Sequence, residues 1–361
     1  MKAQITLFDL VTCFSKTLDL VSPAVMHHHK RVAYIALCIA EELKLSGAEI
    51  KQIVLALLHD IGALSLQEKM NMLHFEADFT NKDLLQHCLL GQNLLKNYVF
   101  FSEAAPLVGT HHIYWQEQSF YNQNEKVLIG GQIIHLSDRI AISMDMHSEI
   151  LSQVSGIMDR IVAQSGKMFC PELVRIFKKL ALKECFWLDI ISLQNFVIGE
   201  SFKSDLIKLD LNNLMSIANL FCQIIDFWSP FTATHSKVVA AVAESLARFM
   251  GFSFPDCQRM RIAGYLHDLG KLAVPKEILE KPGNLTQAEF NIIRSHPFYG
   301  YRTLEMVRGL ELINTWGSLH HEQLNGNGYP FHLQAEELTL GSRIMAIADI
   351  FTALTEGPSL P

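Results

Sequence analysis

The chain has 361 residues and a formal net charge of −7, with 30 Lys and Arg residues against 37 Asp and Glu residues. This length accommodates two or more domains of about 100–200 residues each. The acidic balance argues against a protein that binds DNA or RNA polymers, because such binding relies on clustered basic residues.

The first residues, "MKAQITLFDLVTCFSK", are too polar for a signal peptide. Throughout the sequence, no apolar run approaches the roughly 20 residues needed to cross a bilayer. We therefore expect a cytoplasmic protein that does not bind to membranes.

Helical periodicity begins at residues 31–43, "RVAYIALCIAEEL", whose apolar residues recur at intervals of three and four. The segment 126–138, "KVLIGGQIIHLSD", is rich in β-forming residues, but its counterpart at 338–354 has a helical pattern. We therefore predict a helix at both places. Another helix is predicted within 161–181, where Pro171 suits the first turn.

The second half of the chain repeats this pattern at residues 237–250, and a turn follows at Gly251. Thr286 and Glu289 have the spacing of a capping box, which starts a helix. No convincing set of alternating strands is present. The sequence therefore predicts an all-α protein.

The histidines reveal an internal repeat, whose two halves we name copy one and copy two. Both contain an apolar–apolar–His–Asp–apolar–Gly frame, "LLHDIGA" at 57–63 and "YLHDLGK" at 265–271. Corresponding positions lie 206 to 211 residues apart, and such regular spacing indicates duplication. The series in copy one is His29, His59, Asp60, His87, His111, His112 and Asp138. The series in copy two is His235, His267, Asp268, His296, His320, His321 and Asp349.

The repeat predicts a domain at 1–190, a linker at 191–209 and a second domain at 210–361. Copy one continues beyond its series into the predicted helical tail at 161–181, whereas only twelve residues follow Asp349. We therefore predict two tandem helical bundles, of which the second lacks its C-terminal tail.

The seven cysteines are odd in number, and no two have C-x-x-C spacing. This pattern indicates neither a disulfide framework nor a cysteine zinc site, so we expect buried free thiols. Histidines outside the two series, among them His28 and His135, are predicted to be surface or core residues.

Imidazoles and carboxylates are the expected ligands of divalent ions such as Fe, Mn or Zn. Seven candidates are too many for one tetrahedral ion, but they suit two ions that share a bridging aspartate and a bridging water or hydroxide. Two ions about 3.5–4 Å apart favour hydrolysis of phosphoesters. Lys271, one turn after Asp268, could stabilise charge in the transition state. Ala63 cannot, so copy one is predicted to be catalytically weak or silent.

The motifs of copy two resemble those of the HD-GYP family of bacterial phosphodiesterases, a branch of the HD superfamily of metal-dependent phosphohydrolases. The Gly-Tyr-Pro element is Gly328, Tyr329 and Pro330. Copy one resembles a divergent HD or HD-GYP domain that has lost this element. The motifs that carry the resemblance are "HDLGK" (267–271), "HPFYG" (296–300), "HHEQLNGNGYP" (320–330) and "IADIFTALT" (347–355).

The resemblance implies hydrolysis of a cyclic dinucleotide, either cyclic di-GMP or 3′3′-cyclic GMP-AMP. It implies that the seven residues of the copy-two series bind two divalent ions, with iron or manganese favoured. It allows a second metal site with two more ions in the copy-one series. Asp268 and Lys271 would be the catalytic residues, with Lys271 in contact with a substrate phosphate.

Three positions depart from the family pattern. Members with three metals carry Glu or Asp four residues before the first ligand histidine, where this chain has Phe231 in copy two and Val25 in copy one; a two-metal site is therefore favoured. Asn325 replaces the usual Asp before Gly-x-Gly-Tyr-Pro, and we expect a modest effect. The Arg-Pro-Tyr-Arg-like segment that follows the final Asp in the family has no match in "EGPSLP", so substrate recognition is expected to differ there.

Two alternative functions remain open. Copy two could bind metals and a cyclic dinucleotide without turnover, as a scaffold in which copy one serves as a sensor or as the interface of a homodimer. The chain could also be an HD-superfamily nucleotidase that acts on mononucleotides.

Overall fold

The computed structural model describes residues 5–19, 26–55, 58–63, 81–192, 207–228 and 234–355, with the backbone alone at 81–84 and 227–228. Within these ranges the regular structure is helical, and β pairing is limited to isolated bridges. The all-α prediction is therefore confirmed, including the helix over the β-rich segment at 126–138. None of the described helices combines the length and the apolarity needed to cross a membrane.

The described residues form two compact units. The first unit consists of residues 26–192 and contains copy one. Short 3-10 helices at Trp115–Phe120 and Leu151–Gln153 connect some of its α-helices. The α-helices of the first unit are α2 (His28–Glu42), α3 (Gly47–Leu55), α4 (Asn81–Leu95), α5 (Ala105–Thr110), α6 (Glu125–Ile142), α7 (Val154–Ala163), α8 (Pro171–Ala181) and α9 (Glu184–Ser192).

The second unit consists of residues 5–19 and 207–355 and contains copy two. A 3-10 helix at Leu269–Ala273 follows the His-Asp pair. The α-helices of the second unit are α1 (Leu7–Asp19), α10 (Leu211–Trp228), α11 (His235–Phe249), α12 (Phe254–Leu266), α13 (Lys276–Leu279), α14 (Gln287–Ile293), α15 (His296–Leu304), α16 (Glu311–Ser318) and α17 (Leu340–Thr355).

Helix α1 belongs to the second unit, although it precedes the first unit in the chain. Two backbone hydrogen bonds of 2.9 Å, from Leu7 to Ile207 and from Leu209 to Ile5, fix its start beside the start of copy two. Its Phe14 ring stacks on Phe221 of α10. The predicted domain at 1–190 differs from this grouping because α1 lies outside the repeated series, so the repeat carried no information about its packing partner.

Several helix ends follow directly from local sequence. The capping box predicted from Thr286 and Glu289 is formed, with reciprocal hydrogen bonds between side chains and backbone. Ser253 caps α12 in the same way by accepting a hydrogen bond from the Asp256 amide. The turn after α11 has Gly251 at φ +81°, a conformation that glycine adopts without strain. These signals therefore mark the start of α14, the start of α12 and the end of α11.

Candidate metal centre

The histidine and aspartate series of copy two converges at one place in the second unit. Helices α11 and α15 each begin at a histidine of the series, and α12 and α16 each end within two residues of another. Asp349 lies in the second half of α17. Six of the seven side chains are buried, and His321 is half-buried. The residues brought together are His235, His267, Asp268, His296, His320, His321 and Asp349.

We call the first group of donors the His235 subsite. His235 Nε2 lies 3.1 Å from Asp349 Oδ1. His267 Nε2 lies 3.2 Å from Asp268 Oδ2 and 3.7 Å from Asp349 Oδ1. Two imidazoles and two carboxylate oxygens therefore border one small space.

The second group, the His296 subsite, uses the other oxygen of the same aspartate. His296 Nε2 lies 3.3 Å from Asp268 Oδ1 and 3.3 Å from His320 Nε2. The ring centroid of His321 lies 4.1 Å from that of His320. Asp268 therefore presents Oδ2 to the His235 subsite and Oδ1 to the His296 subsite.

Backbone carbonyls orient the rings. His267 Nδ1 lies 2.8 Å from the carbonyl oxygen of Gly264, and His296 Nδ1 lies 2.7 Å from that of Ile293. His320 makes the same kind of contact within its own turn. Since a carbonyl can only accept, Nδ1 must donate in each bond. In the neutral ring this leaves Nε2 as the unprotonated atom that faces the centre.

Electrostatics separate two kinds of histidine in the centre. Burial lowers the pKa of His320 well below its usual range and that of His321 to about 4, so both rings are neutral near pH 7. Burial would also lower the pKa of His267, but the carboxylates of Asp268 and Asp349 outweigh burial and raise it to about 10. A divalent cation in the His235 subsite would take the place of that proton.

The donor set fits divalent metal ions. His267 Nε2 is buried and lacks a hydrogen bond of acceptable geometry, although carboxylate oxygens lie near it. Buried polar atoms without partners are rare in native proteins, and a coordinated ion would satisfy this one. Mixed imidazole and carboxylate ligands suit ions of the iron and manganese type.

Lys271 lies beside the proposed bridging carboxylate. Its Nζ donates to Asp268 Oδ2 at 2.6 Å, and its side chain is largely buried. Burial would lower the pKa of Lys271, but Asp268 and Asp349 outweigh this effect and raise it, so the amine carries a positive charge. The corresponding residue of the first unit, Ala63, is buried and brings no charge.

The Gly-Tyr-Pro element folds back onto the centre. The Tyr329 ring stacks on His321 with 4.8 Å between centroids, and the Arg294 guanidinium lies 4.9 Å from the Tyr329 ring centroid. Gly328 packs so closely on Glu322 that a Cβ at this position would overlap its backbone. The glycine is therefore required for the close approach that brings Tyr329 to the histidine.

Arg294 was not identified from the sequence. It lies two residues before His296, and its counterpart in copy one is Leu85. A comparison of the two copies for charge, rather than for metal ligands alone, could have found it. Arg294 therefore adds a second cation near the centre of copy two, at a position where copy one has an uncharged leucine.

The glycine that both His-Asp frames share is required by close backbone packing. A Cβ on Gly270 would overlap the carbonyl oxygen of His296, and a Cβ on Gly62 would overlap that of His87. The His-Asp turn therefore packs directly against the residue that supplies the next ligand. Only glycine permits this contact in either unit.

The first unit repeats the His235 subsite with a different histidine from the predicted one. His28 Nε2 lies 3.1 Å from Asp138 Oδ1, the distance found for the corresponding pair in the second unit. His28, His59 and Asp60 form a cluster that could hold a metal ion, and His29 is not a member of it. His28, rather than the predicted His29, therefore lies beside Asp60 and Asp138 in the first unit. The sequence offered adjacent histidines at this position, and spacing alone did not distinguish them.

Asp138 is followed in the sequence by an arginine, whereas its counterpart Asp349 is followed by an isoleucine. Arg139 donates to Asp138 Oδ2 from Nη2 at 2.6 Å and from Nε at 3.0 Å, and both side chains are buried. Burial would raise the pKa of Asp138, but Arg139 outweighs burial and lowers it. In the second unit the residue after Asp349 is Ile350, which is 58% exposed. A guanidinium therefore neutralises this aspartate in the first unit only.

The second cluster of the first unit, the His87 subsite, contains a cysteine that the sequence argument set aside. His87 Nε2 lies 3.3 Å from His111 Nε2. Cys88 Sγ lies 3.6 Å from His87 Nε2 and 3.9 Å from His111 Nε2. His112 is the fourth member of the group. Asp60 Oδ1 lies 3.6 Å and 3.7 Å from the same two nitrogens. All seven cysteines are free, as predicted, but Cys185 is exposed and Cys38 half-buried, so the prediction of burial is wrong for these two. Cys88 is buried among three histidines.

Other sequence-based expectations concern residues outside the two ligand series. Phe231 and Val25, from which a two-metal site was predicted, lie outside the described residues, as does the segment 356–361. Asn325 Oδ1 accepts a hydrogen bond from the Asn327 amide at 3.0 Å, in keeping with the turn role expected of it. His135 is buried beside His112 and Phe169, in agreement with a core position.

Comparison with known proteins supports the repeat. HD domain family models match residues 25–142 and 219–360. A 3′3′-cGAMP-specific phosphodiesterase from Vibrio cholerae is 32% identical over 358 residues, which cover 95% of this chain and 81% of that protein. A cyclic di-GMP phosphodiesterase from Pseudomonas aeruginosa is 41% identical over 126 residues, which cover 35% of this chain and 30% of that protein.

A crystal structure of a cyclic GMP-AMP specific phosphodiesterase of V. cholerae has the same fold. Its TM-score is 0.69 at 24% identity, over 99% of this chain and 90% of that chain. The resemblance inferred from the motifs of copy two is thereby confirmed for the chain as a tandem. Its two HD domains and its similarity to these relatives show that the chain belongs to the HD-GYP family of tandem HD-type phosphodiesterases.

Proposed function

We propose that the second unit hydrolyses a phosphodiester bond of a cyclic dinucleotide, either 3′3′-cyclic GMP-AMP or cyclic di-GMP. One observation carries the proposal. The two oxygens of Asp268 face separate groups of histidines, while the cation of Lys271 lies 2.6 Å from the same carboxylate. The named activities of the relatives from V. cholerae and P. aeruginosa support the choice of substrate class.

We infer that the seven residues of the copy-two series hold two divalent ions, with iron or manganese as the first candidates. When bound, the ions would act as Lewis acids on a phosphate oxygen. They would also lower the pKa of a bound water to near neutral, so that it could act as the nucleophile. The protein's own contribution is to fix the donors. The carbonyl contacts to His267, His296 and His320 set the direction of each Nε2 before substrate arrives.

The cations beside the centre have their own roles. Lys271 is placed to pair with a phosphate oxygen as negative charge builds up during bond cleavage, an interaction worth most in a water-poor site. The stacked Tyr329 and Arg294 lie next to His321, where they would bind the base or the second phosphate of the substrate. At the corresponding positions of the first unit, Ala63 and Leu85 bring no charge.

A matched pair of variants tests the proposal. Asp268→Ala should reduce hydrolysis of both cyclic dinucleotides to the background rate, because both subsites lose a ligand. Asp60→Ala, the same change in the first unit, should leave the rate close to that of the wild type. Product chromatography with each substrate gives the readout. Undiminished hydrolysis by Asp268→Ala would remove the second unit from the mechanism.

The two alternatives predict different results in the same experiments. A binding protein without turnover would bind a cyclic dinucleotide in isothermal titration and yield no product over hours. A nucleotidase would release phosphate from mononucleotides and leave both cyclic dinucleotides intact.

A further inference from the structure

The first unit has lost the features that accompany hydrolysis but has gained a thiol inside its donor set. Cys88 follows His87 directly, and the corresponding residue of the second unit is Pro297. The thiol, both neighbouring imidazoles and His112 are buried. This difference changes the chemical character of the His87 subsite, since sulfur is a softer ligand than the oxygens and nitrogens of the second unit.

We propose that His87, Cys88, His111 and His112 bind one zinc-class ion through three imidazole nitrogens and a thiolate. Donors at the usual distances from a tetrahedral zinc ion lie about 3.3 Å apart for two nitrogens and about 3.6 Å apart for a nitrogen and a sulfur. The distances in the protein are 3.3 Å between the nitrogens of His87 and His111, and 3.6 Å and 3.9 Å from these nitrogens to Cys88 Sγ. These three donors are therefore already spaced for coordination, and His112 offers a nitrogen within 4.8 Å of each of them.

A second observation points independently to an ion in this place. His112 Nε2 is buried and has no hydrogen-bond partner. Its ring packs between those of His111 and His135, with centroids 4.2 Å and 5.1 Å away. An imidazole held in this way gains a partner when a metal ion enters the cluster. The ring of His111 is also set for coordination, because its Nδ1 lies 2.6 Å from the carbonyl oxygen of Val108.

The neighbouring subsite of the first unit is less suited to an ion of its own. Arg139 places a buried positive charge on Asp138, the carboxylate that would face that ion. Repulsion between the guanidinium and a divalent cation opposes binding there. We therefore infer a single thiolate-ligated ion in the first unit, in contrast to an oxygen- and nitrogen-ligated pair in the second. Tetrahedral ligation by cysteine sulfur and histidine nitrogen suits zinc.

Cobalt substitution of the full chain tests the inference directly. Metal-free protein titrated with Co²⁺ should develop the near-ultraviolet charge-transfer absorption of a thiolate–cobalt bond, which histidine and carboxylate ligands do not produce. Cys88→Ser should abolish the band and weaken zinc binding more than about 100-fold, since even groups that only orient a ligand contribute about 10–100-fold. Cys170→Ser is the matched control, because Cys170 is buried in the same unit but belongs to none of the described clusters. It should retain the band.

The outcome does not depend on hydrolysis. Asp268→Ala should retain the charge-transfer band while losing its activity, so a failure of either proposal is visible by itself. Absence of the band in wild-type protein loaded with cobalt would overturn the inference even if Cys88→Ser failed to fold. Persistence of the band in a folded Cys88→Ser variant would overturn it as well.

Discussion

Lys271 donates a hydrogen bond of 2.6 Å to Asp268, whereas Asp60 of the first unit is followed at the same spacing by the buried Ala63. The duplication thus preserved the aspartate in both units and the adjacent charge in one. The His-Asp frames at 57–63 and 265–271 are otherwise alike. The pair of Asp268 and Lys271 therefore accounts for a large part of the expected difference in activity between the units.

The first prediction concerns this charge. Lys271→Met keeps most of the aliphatic side chain and removes the ammonium group, so kcat should fall on the order of 10²–10³-fold, as is typical when one stabilising donor is lost. The steady-state rate and the metal content should be measured together, and the metal content should change little. Ala63→Lys is the control and should give no gain, since the first unit also lacks the Gly-Tyr-Pro element. A Lys271→Met enzyme with normal kcat would exclude the proposed role.

The second prediction concerns Arg294 and Tyr329. Arg294→Ala should raise KM with a smaller effect on kcat, because the guanidinium lies beside the substrate region rather than among the ligands. Tyr329→Phe should behave like the wild type, since the ring that stacks on His321 remains. Arg302→Ala is the matched control, because Arg302 lies over the Phe298 ring at 5.4 Å on the exposed side of α15. Equal effects of the two arginine variants would argue against a specific role for Arg294.

The third prediction concerns the shared glycine. Gly270→Ala should destabilise the second unit by about 1–3 kcal/mol, the usual cost of forcing extra volume into a packed core. Because the added methyl group would push against the carbonyl of His296, metal affinity should fall with stability. Thermal unfolding and metal titration provide the measurements. Gly156→Ala, where a Cβ would meet nothing within 4 Å, should cause no loss of stability. Normal metal affinity in Gly270→Ala would show that the turn is not held by this contact.

The fourth prediction concerns the buried ion pair of the first unit. Arg139→Met leaves the Asp138 carboxylate buried without its cation and should destabilise the metal-free protein by about 3–5 kcal/mol. Arg175→Met removes an exposed pair with Glu172 and should cost at most about 1 kcal/mol. Divalent metal should restore stability to Arg139→Met more than to the control, since the cation would replace the lost charge. Denaturant unfolding with and without added zinc or manganese tests this, and equal responses of the two variants would contradict it.

The sequence contained enough information to predict the helical class, the duplication and the donors of copy two, because repeated ligands with constant spacing constrain each other. It could not select His28 over His29. The choice depends on which residue of the first turn of α2 faces Asp138 on α6. Because α2 begins inside a run of three histidines, the spacing between ligands does not distinguish one histidine from the next. The different grouping of α1 has a similar origin, since its partners Phe221 and Ile207 lie about 200 residues away and outside the histidine series.

Cys88 was missed for a different reason. Spacing rules search for pairs of cysteines, whereas this thiol completes its set with histidines from other turns. The roles of Arg139 and Arg294 likewise become visible only when the structure shows that they contact Asp138 and Tyr329. For the two arginines, the sequence signal is a charge close to a predicted ligand in one copy that is absent from the other copy; for Cys88, it is a potential ligand in one copy where the other has Pro297.

The position of α1 sets an order of events during synthesis. This helix is synthesised before the first unit, yet the surfaces that cover its apolar face lie in residues 207–355, which follow that unit in the chain. The first unit can complete its core in the interval, because domains tend to fold as they emerge. The second unit must wait for α17, which carries Asp349. The proposed hydrolytic centre would therefore be assembled only when almost the whole described chain has been made, and a chain that stops before α17 should not hydrolyse a cyclic dinucleotide.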